Sequence, residues 1–461
     1  MTTPNSNPTE RTLSRTIIAI ALLGAVIGGV GAPLITSAAV DLDMPLEMAQ
    51  WTLTITLFTG AVTAPVLGRL GAGRHRRTTV LIALGLVALG GLLTAVPAHF
   101  AVLIIGRGLQ GLGLGVTPLL MSIARDHLSA ARAESTIATV SVASTVGIGV
   151  AYPLMGFVDE AAGLRIAYGL GFLLSLTAFV LAWLALPSSD SRQRVHIDSA
   201  GALLLAVGIL GVLMVVAQPS VWQQPWIGAL ILIVSVAAFA GWAAVERSTT
   251  SPLVDLRLFL TGNVLRANIA MLASAVAMYL LFSLFTRYVQ TPADSGYGFG
   301  LTGAGAGAAL IPFSVLGFVA GRATPSLAAM TSARWTFTIH SATVIAGMAV
   351  FALSSDSLIF TLIAMSLLGF GVGGVSAIMP RLILDGVPKS ETSSVLSINQ
   401  IVRASGFSFG SALAGLLLAT ATPADSLVPT EFGYTAAGLV AIPLVALGIA
   451  VVAIRRCPAS R

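Results

Sequence analysis

Fourteen apolar runs fill this chain, arranged as six, then two, then six, and nearly all of its charged residues sit in the gaps between them. An apolar stretch of about 20 residues crosses a hydrocarbon core of about 30 Å as a helix, and only helices or closed barrels satisfy their backbone polar groups in lipid. The pattern points to an all-α membrane protein with 14 transmembrane helices. Composition agrees: 9% of the 461 residues are charged, against about 25% in an ordinary soluble domain, and the mean hydropathy is +0.94. No stretch remains for a soluble domain of useful size.

The spans are expected near 16–38, 48–68, 78–97, 100–123, 135–158 and 164–187, then 200–218 and 226–245, then 264–286, 300–321, 336–354, 358–380, 393–418 and 434–454. The chain then divides into a polar tail (1–15), a six-helix bundle (16–187), a linker with two additional transmembrane helices (188–263), a second six-helix bundle (264–454) and a short tail (455–461). The first tail lacks the charged start, short apolar stretch and cleavage site of a signal peptide, and both tails are expected in the cytoplasm. Of the 24 basic residues, only Arg165 and Arg287 then fall on the outer side and only Arg107 and Arg403 lie inside spans. All others face the cytoplasm, a strong positive-inside bias. VLGRL, ending the second span at Gly68-Arg69, and FVAGRA, ending its counterpart at Gly321-Arg322, form a weak internal repeat. Parallel repeats of this kind build the two halves of many transporters.

The net charge of +6 does not mark a nucleic-acid protein, because the basic residues are dispersed along membrane-edge loops and the one cluster is Arg74, Arg76 and Arg77 beside His75. The bilayer is the partner that this placement fits. One cysteine, Cys457, excludes an intrachain disulfide. A phosphate-binding loop needs Gly-Lys-Ser/Thr, whereas the only lysine, Lys389, follows Pro388. The glycine clusters at 111–115 and 369–374 lie in apolar spans and read as small-residue packing surfaces. His75, His99, His127, His196 and His340 are scattered without metal-ligand spacing. Neither a metal nor any other cofactor is expected, and enzyme activity is not. Any transport must draw on an ion gradient or on the substrate's own gradient.

Three stretches resemble motifs of the major facilitator superfamily. The loop Gly68 to Arg77 (GRLGAGRHRR) resembles the family's gating loop between the second and third spans, with Gly68, Leu70, Arg76 and Arg77 matching and Arg69 between them. The usual aspartate is Ala72, which leaves the charge relay incomplete; Asp126, at the end of the fourth span, is the candidate partner for Arg76 or Arg77. IGRGLQGLGLG (105–115) resembles the fourth-span motif through Arg107, Gln110, Gly111 and Gly115. Arg107 lies about 10 Å deep at 1.5 Å per residue, and a charge at such depth faces a water-filled cavity or a partner. A cavity-facing arginine is the favoured reading, and one that snorkels or bonds a neighbouring carbonyl is the alternative. GIGVAYPLMG (147–156) resembles the fifth-span antiporter motif through Gly149, Pro153 and Gly156, with Tyr152 standing where glycine is expected. A bendable gate helix and ordinary small-residue packing both fit it.

Trp51, the PLVDLRLF run (252–259) and Pro312 are similar to the fourteen-span drug:proton antiporter branch. The resemblance implies a major facilitator fold of two six-helix bundles plus two extra central helices, in a bacterial plasma membrane. In INQIVRASGFSFGSALAG (398–415), Asn399 and Arg403 share a helix face, with Arg403 near the midplane, and Gly406 and Gly410 continue a small-residue stripe. A substrate-cavity role and a structural bond to the partner half are both open to them. His340 reads as a snorkelling interfacial residue, with proton sensing behind it, and Arg287 as an interfacial anchor.

Proton antiport usually relies on an intramembrane carboxylate, and none is expected here: all 18 acidic residues fall in loops or at span ends. Aligning the first span at Asp41 places Ile27 where this branch often carries aspartate. Asp41, Asp126, Asp159, Glu160 and His340 are the candidates for proton coupling. A cavity with Arg107 and Arg403 and no acid favours anionic or neutral amphipathic substrates. The resemblance implies a secondary active, proton-coupled exporter of small hydrophobic or amphipathic compounds, working as a monomer by alternating access. An uptake transporter or facilitator for a small organic anion or nutrient is the alternative, and a channel or non-transporting receptor on the same fold a further one.

Overall fold

The computed structural model describes residues 8–31, 33–44, 46–71, 75–96, 99–187, 198–217, 221, 224–249, 256–260, 262–353, 357–388, 391–423 and 428–453. Residues 1–7, the tail 455–461, Ala72, Arg74, His196, residues 252–255, Lys389 and Cys457 lie outside them. The described residues are helical, in the order α1 (Pro8–Gly29), α2 (Ile35–Asp41), α3 (Leu46–Gly71), α4 (Arg76–Ala95), α5 (Phe100–His127), α6 (Ala130–Ala162), α7 (Leu164–Ala185), α8 (Ser199–Ala217), α9 (Pro225–Ser248), α10 (Leu256–Phe259), α11 (Gly262–Gln290), α12 (Gly303–Ala309), α13 (Ile311–Met330), α14 (Ala333–Leu353), α15 (Leu358–Leu384), α16 (Thr392–Thr420), α17 (Glu431–Leu439) and α18 (Ala441–Ala453).

Among the described residues, twelve helical stretches are long and apolar enough to cross a membrane. The expected spans at 135–158 and 200–218 are not among them. Both stretches are helical all the same, 135–158 lying within the 33 residues of α6 and 200–217 within the 19 residues of α8. Three expected spans are broken, each by a proline. The first ends as α1 at Gly29 and resumes as α2 at Ile35, because Pro33 has no N–H to continue the ladder. Pro312 and Pro443 occupy the first turns of α13 and α18, where the missing N–H is tolerated, and the preceding segments stop at Ala309 and Leu439.

Helices α1–α7 pack among themselves, as do α11–α18. The two groups meet along α3/α16 and α5/α16 on one side and along α6 with α12, α13 and α15 on the other. Of these twelve stretches α11 is the most enclosed, 61% of its apolar window being buried, against 17% for α9. The inserted pair α8/α9 is therefore peripheral. Leu205 and Ile209 of α8 pack on Ala61 of α3, and Trp242 of α9 joins Val66 and Ile398, so the pair lies against the α3/α16 seam.

Glycine sets how closely the second group packs. A Cβ at Gly369 of α15 would collide with the backbone of Phe313 in α13, and one at Gly373 with that of Gly317. Gly371 and Gly374, on the opposite face of α15, admit α14 in the same way. The cluster at 369–374 is a two-sided helix-packing surface.

Candidate functional site

The two deep arginines stand in different environments. Arg107 is fully buried. Its Nε donates to Thr52 O at 3.2 Å, Nη1 to Ile27 O at 3.2 Å and to Gln110 Oε1 at 2.6 Å, and Nη2 to Gly28 O at 3.3 Å. The break after α1 leaves carbonyls without intrahelical donors, and a cation is favoured at such a helix C-terminus. Arg107 thus closes the broken end of α1 against α3 and α5, the carbonyl-bonding arrangement, with no open cavity at its guanidinium. A Cβ at Gly31 would fall 2.7 Å from its Nη2, so glycine there makes room for it.

Arg403 is also buried, yet its one hydrogen bond is a long one, Nη1 to Ser141 O at 3.5 Å, which joins α16 to α6 across the two helix groups. One turn earlier, Asn399 Nδ2 donates to Asn268 Oδ1 at 3.1 Å, tying α16 to α11. Gly406 and Gly410 face the backbone of α11 at Leu272 and Val276, so the expected small-residue stripe brings these helices together. Above Arg403 lies an aromatic cluster. Tyr152 of α6 meets Phe282 of α11 edge-on at 5.7 Å; Phe282 also meets Tyr279 at 5.7 Å and Phe313 at 5.9 Å; and Tyr279 meets Phe407 of α16 at 5.3 Å.

The motif on α6 faces α12 and α13. A Cβ at Gly149 would strike Ser314 Oγ, one at Gly307 would come within 2.8 Å of Pro153 Cα, and Gly156 lies against Ala304. At the end of the bundle where α1, α4 and α6 begin, Arg76 pairs with Asp126 at 2.5 Å, and Arg77 Nη2 donates to Trp183 O at 2.7 Å. Asp126 thus joins Arg76 and not Arg77. Gly68 is buried and Arg69 half-buried in the last turn of α3. Two links cross the helix groups here: Arg381 with Glu134 at 2.7 Å, and Arg125 with Thr392 Oγ1 and, at 3.2 Å, with Val387 O. They border a cleft of about 620 Å³ whose lining includes Thr324, Arg334 and Asp385.

The candidate acids scatter. Asp159 accepts a hydrogen bond from Ser37 Oγ, while Asp41 and Glu160 are exposed helix-end residues. Glu246 of α9 departs from the expectation of wet span ends: it is 4% exposed and accepts from Trp242 Nε1 at 2.8 Å. The snorkelling reading of His340 is overturned. The residue is fully buried, its Nε2 lies 3.1 Å from Thr324 Oγ1, and Gly374 of α15 leaves the room its ring fills. Among the described residues no group of His, Cys, Asp and Glu is placed to hold a metal ion.

The family model described as Major Facilitator Superfamily matches residues 16–411. The chain belongs to this superfamily. Among curated relatives, the chain is 24% identical over 306 residues to an uncharacterized MFS-type transporter, YvkA, of Bacillus subtilis, covering 65% of this chain and 66% of that protein. It is 27% identical over 410 residues to a multidrug resistance protein B homolog of Mycobacterium tuberculosis, covering 82% and 70%. A triacylglyceride transporter of Mycolicibacterium hassiacum is 26% identical over 268 residues, covering 55% and 50%. Two solved structures share the fold: the human organic anion transporter MFSD10, with a TM-score of 0.67 at 14% identity over 97% of this chain and all of that one, and a bacterial ferroportin homologue in an outward-facing state, with a TM-score of 0.61 at 13% identity over 95% and 98%.

For a Major Facilitator Superfamily member, the motif residues Arg76, Arg107, Gly149 and Pro153 are legible in sequence. The ring cluster and the Arg381–Glu134 link were not. The rings come from α6, α11, α13 and α16 and the ion pair spans 247 residues of chain, and nothing in local spacing brings these segments together.

Proposed function

We propose that the chain is a secondary active exporter of small hydrophobic or amphipathic compounds, proton-coupled, with fourteen crossings and both tails cytoplasmic. Substrate passes between helices α1–α7 and α11–α18 as the contacts at either end of their seams open in turn. The observation that carries this reading is the character of the α6 seam. Its face toward α12 and α13 is built from glycine and proline, and the side-chain links at its basic end are half-exposed, Arg381 and Glu134 being 42% and 43% exposed. Exposed ion pairs contribute about 0–1 kcal/mol each, so such a seam parts at low cost. Arg403 reaches across the same seam. The relative named for multidrug resistance supports export, and Asp41, Asp126, Asp159, Glu160 and His340 are the groups through which protons couple.

Transport in reconstituted vesicles with an imposed pH gradient of each sign tests this, using anionic, neutral and cationic compounds. Export predicts accumulation only when the gradient drives protons opposite to substrate. Flux indifferent to the gradient favours the second reading, a facilitator for a small organic anion, which rests on Arg403 lying at the seam without an acid beside it.

A further inference from the structure

Between the two helix groups, the polar atoms around the ring cluster are underused. Tyr152 and Tyr279 are half-buried while Phe282, Phe313 and Phe407 are buried, so the two phenols border open space. Among the described residues neither phenol hydroxyl has a hydrogen-bond partner, although buried tyrosine hydroxyls normally find one. One helical turn from Phe407 on α16, Arg403 spends a single long bond of its five donors. Arg107, equally deep, spends its donors on four acceptors. Other buried polar atoms also lack a partner, among them Gln110 Nε2, Tyr168 Oη and His340 Nδ1; here the spare donors of an arginine and two phenols stand together with a ring cluster between the two helix groups, a place where a ligand can supply the acceptors.

We propose that Tyr152, Tyr279, Phe282 and Phe407 form a ring-binding subsite beside Arg403, so that the protein takes flat aromatic anions, the ring lying among these side chains and the anionic group on the guanidinium. This rests on the transporter reading above and narrows its substrate class. In the conformation described, Tyr152 of α6 touches Phe282 of α11 directly. A bound ring takes the place of that contact, so the side chain that departs from the family's glycine belongs to both the subsite and the seam. A planar guanidinium pairs with a carboxylate through two parallel bonds, and aromatic faces prefer an offset or edge-on ring to a saturated skeleton of the same size.

The test is direct binding to the purified full chain in lipid nanodiscs, with 2-naphthoate, its fully saturated decahydro analogue and the uncharged 2-naphthylmethanol as probes. Naphthoate is expected to bind tightest. Tyr152→Leu lowers the aromatic-to-saturated affinity ratio roughly two- to tenfold, the worth of one ring contact, and Tyr152→Phe keeps it. Arg403→Gln removes the preference for naphthoate over the alcohol and leaves the aromatic-to-saturated ratio intact. Phe407→Leu repeats the ring test if Tyr152→Leu does not yield a monodisperse protein. Equal binding of the saturated acid, no binding of any probe, or an unchanged ratio in the leucine variants overturns the proposal. Vesicle flux of the same probes separates it from the export reading. Selective binding without gradient-driven flux defeats export and leaves the subsite; flux of saturated compounds alone defeats the subsite and leaves export.

Discussion

Arg107 and Arg403 are the same residue type at similar depth, yet their surroundings give them different work. Removing the Arg107 side chain takes a donor from the carbonyls of Ile27 and Gly28 and from the Gln110 amide oxygen in a dry site, Ile27 O keeping a 3.3 Å bond from Val30 N–H, and each buried group left unsatisfied costs about 1–3 kcal/mol. Arg107→Ala is therefore expected to lower the thermal unfolding midpoint of the purified protein sharply, while Arg403→Gln, which gives up one 3.5 Å bond, shifts it little. Equal shifts in the two variants would refute this division. The depth of both residues was legible in the sequence, because an arginine inside an apolar run has nowhere else to be. The division was not, since the carbonyls that occupy Arg107 come from a helix break 80 residues earlier in the chain. His340 teaches the same lesson. Its position near a span end suggested the interface, and only the gap left by Gly374 on another helix shows that it is enclosed.

At the scale of the helix, proline accounts for the interruptions at Pro33, Pro312 and Pro443, which the continuous apolar runs of the sequence concealed, and the glycines did not announce which neighbour they admit. Gly369→Ala is expected to destabilise the fold by about 1–3 kcal/mol, the usual cost of overpacking, because its Cβ meets the Phe313 backbone, which cannot rotate away. Gly415→Ala, where a Cβ meets open space on α16, is the control and is expected to leave the unfolding midpoint unchanged or raised. A second cycle follows from the α14/α15 contact. Gly374→Ala drives a methyl into the His340 ring and lowers the midpoint; combining it with His340→Ala removes the obstacle and recovers part of the loss. Additive losses in the double variant would show that the ring is not what the methyl meets.

For the whole molecule, the relevant energies are those of the seams between helix groups. The Arg381–Glu134 pair is half-exposed, so its loss costs little stability, about 0–1 kcal/mol. A two-state equilibrium moves up to about fivefold on such an energy. Arg381→Gln is expected to speed thiol labelling of a cysteine placed at Ala138, which is buried and lines the adjacent cleft, in a Cys457→Ser background, with the unfolding midpoint held. Unaltered labelling would mean that the pair does not hold this end shut.

By itself the sequence determined that this chain is a bundle of membrane-crossing helices, where most of them lie, and which motifs it shares with its superfamily. Hydropathy and charge act locally, through the cost of each side chain in lipid, and can be read residue by residue. The tertiary structure alone decided which arginine closes a helix end and which stays available, which glycine admits which helix, and that Tyr152 meets rings from the other end of the chain. Those outcomes depend on pairings between distant segments, and the energy of a pairing is written in neither partner's neighbourhood.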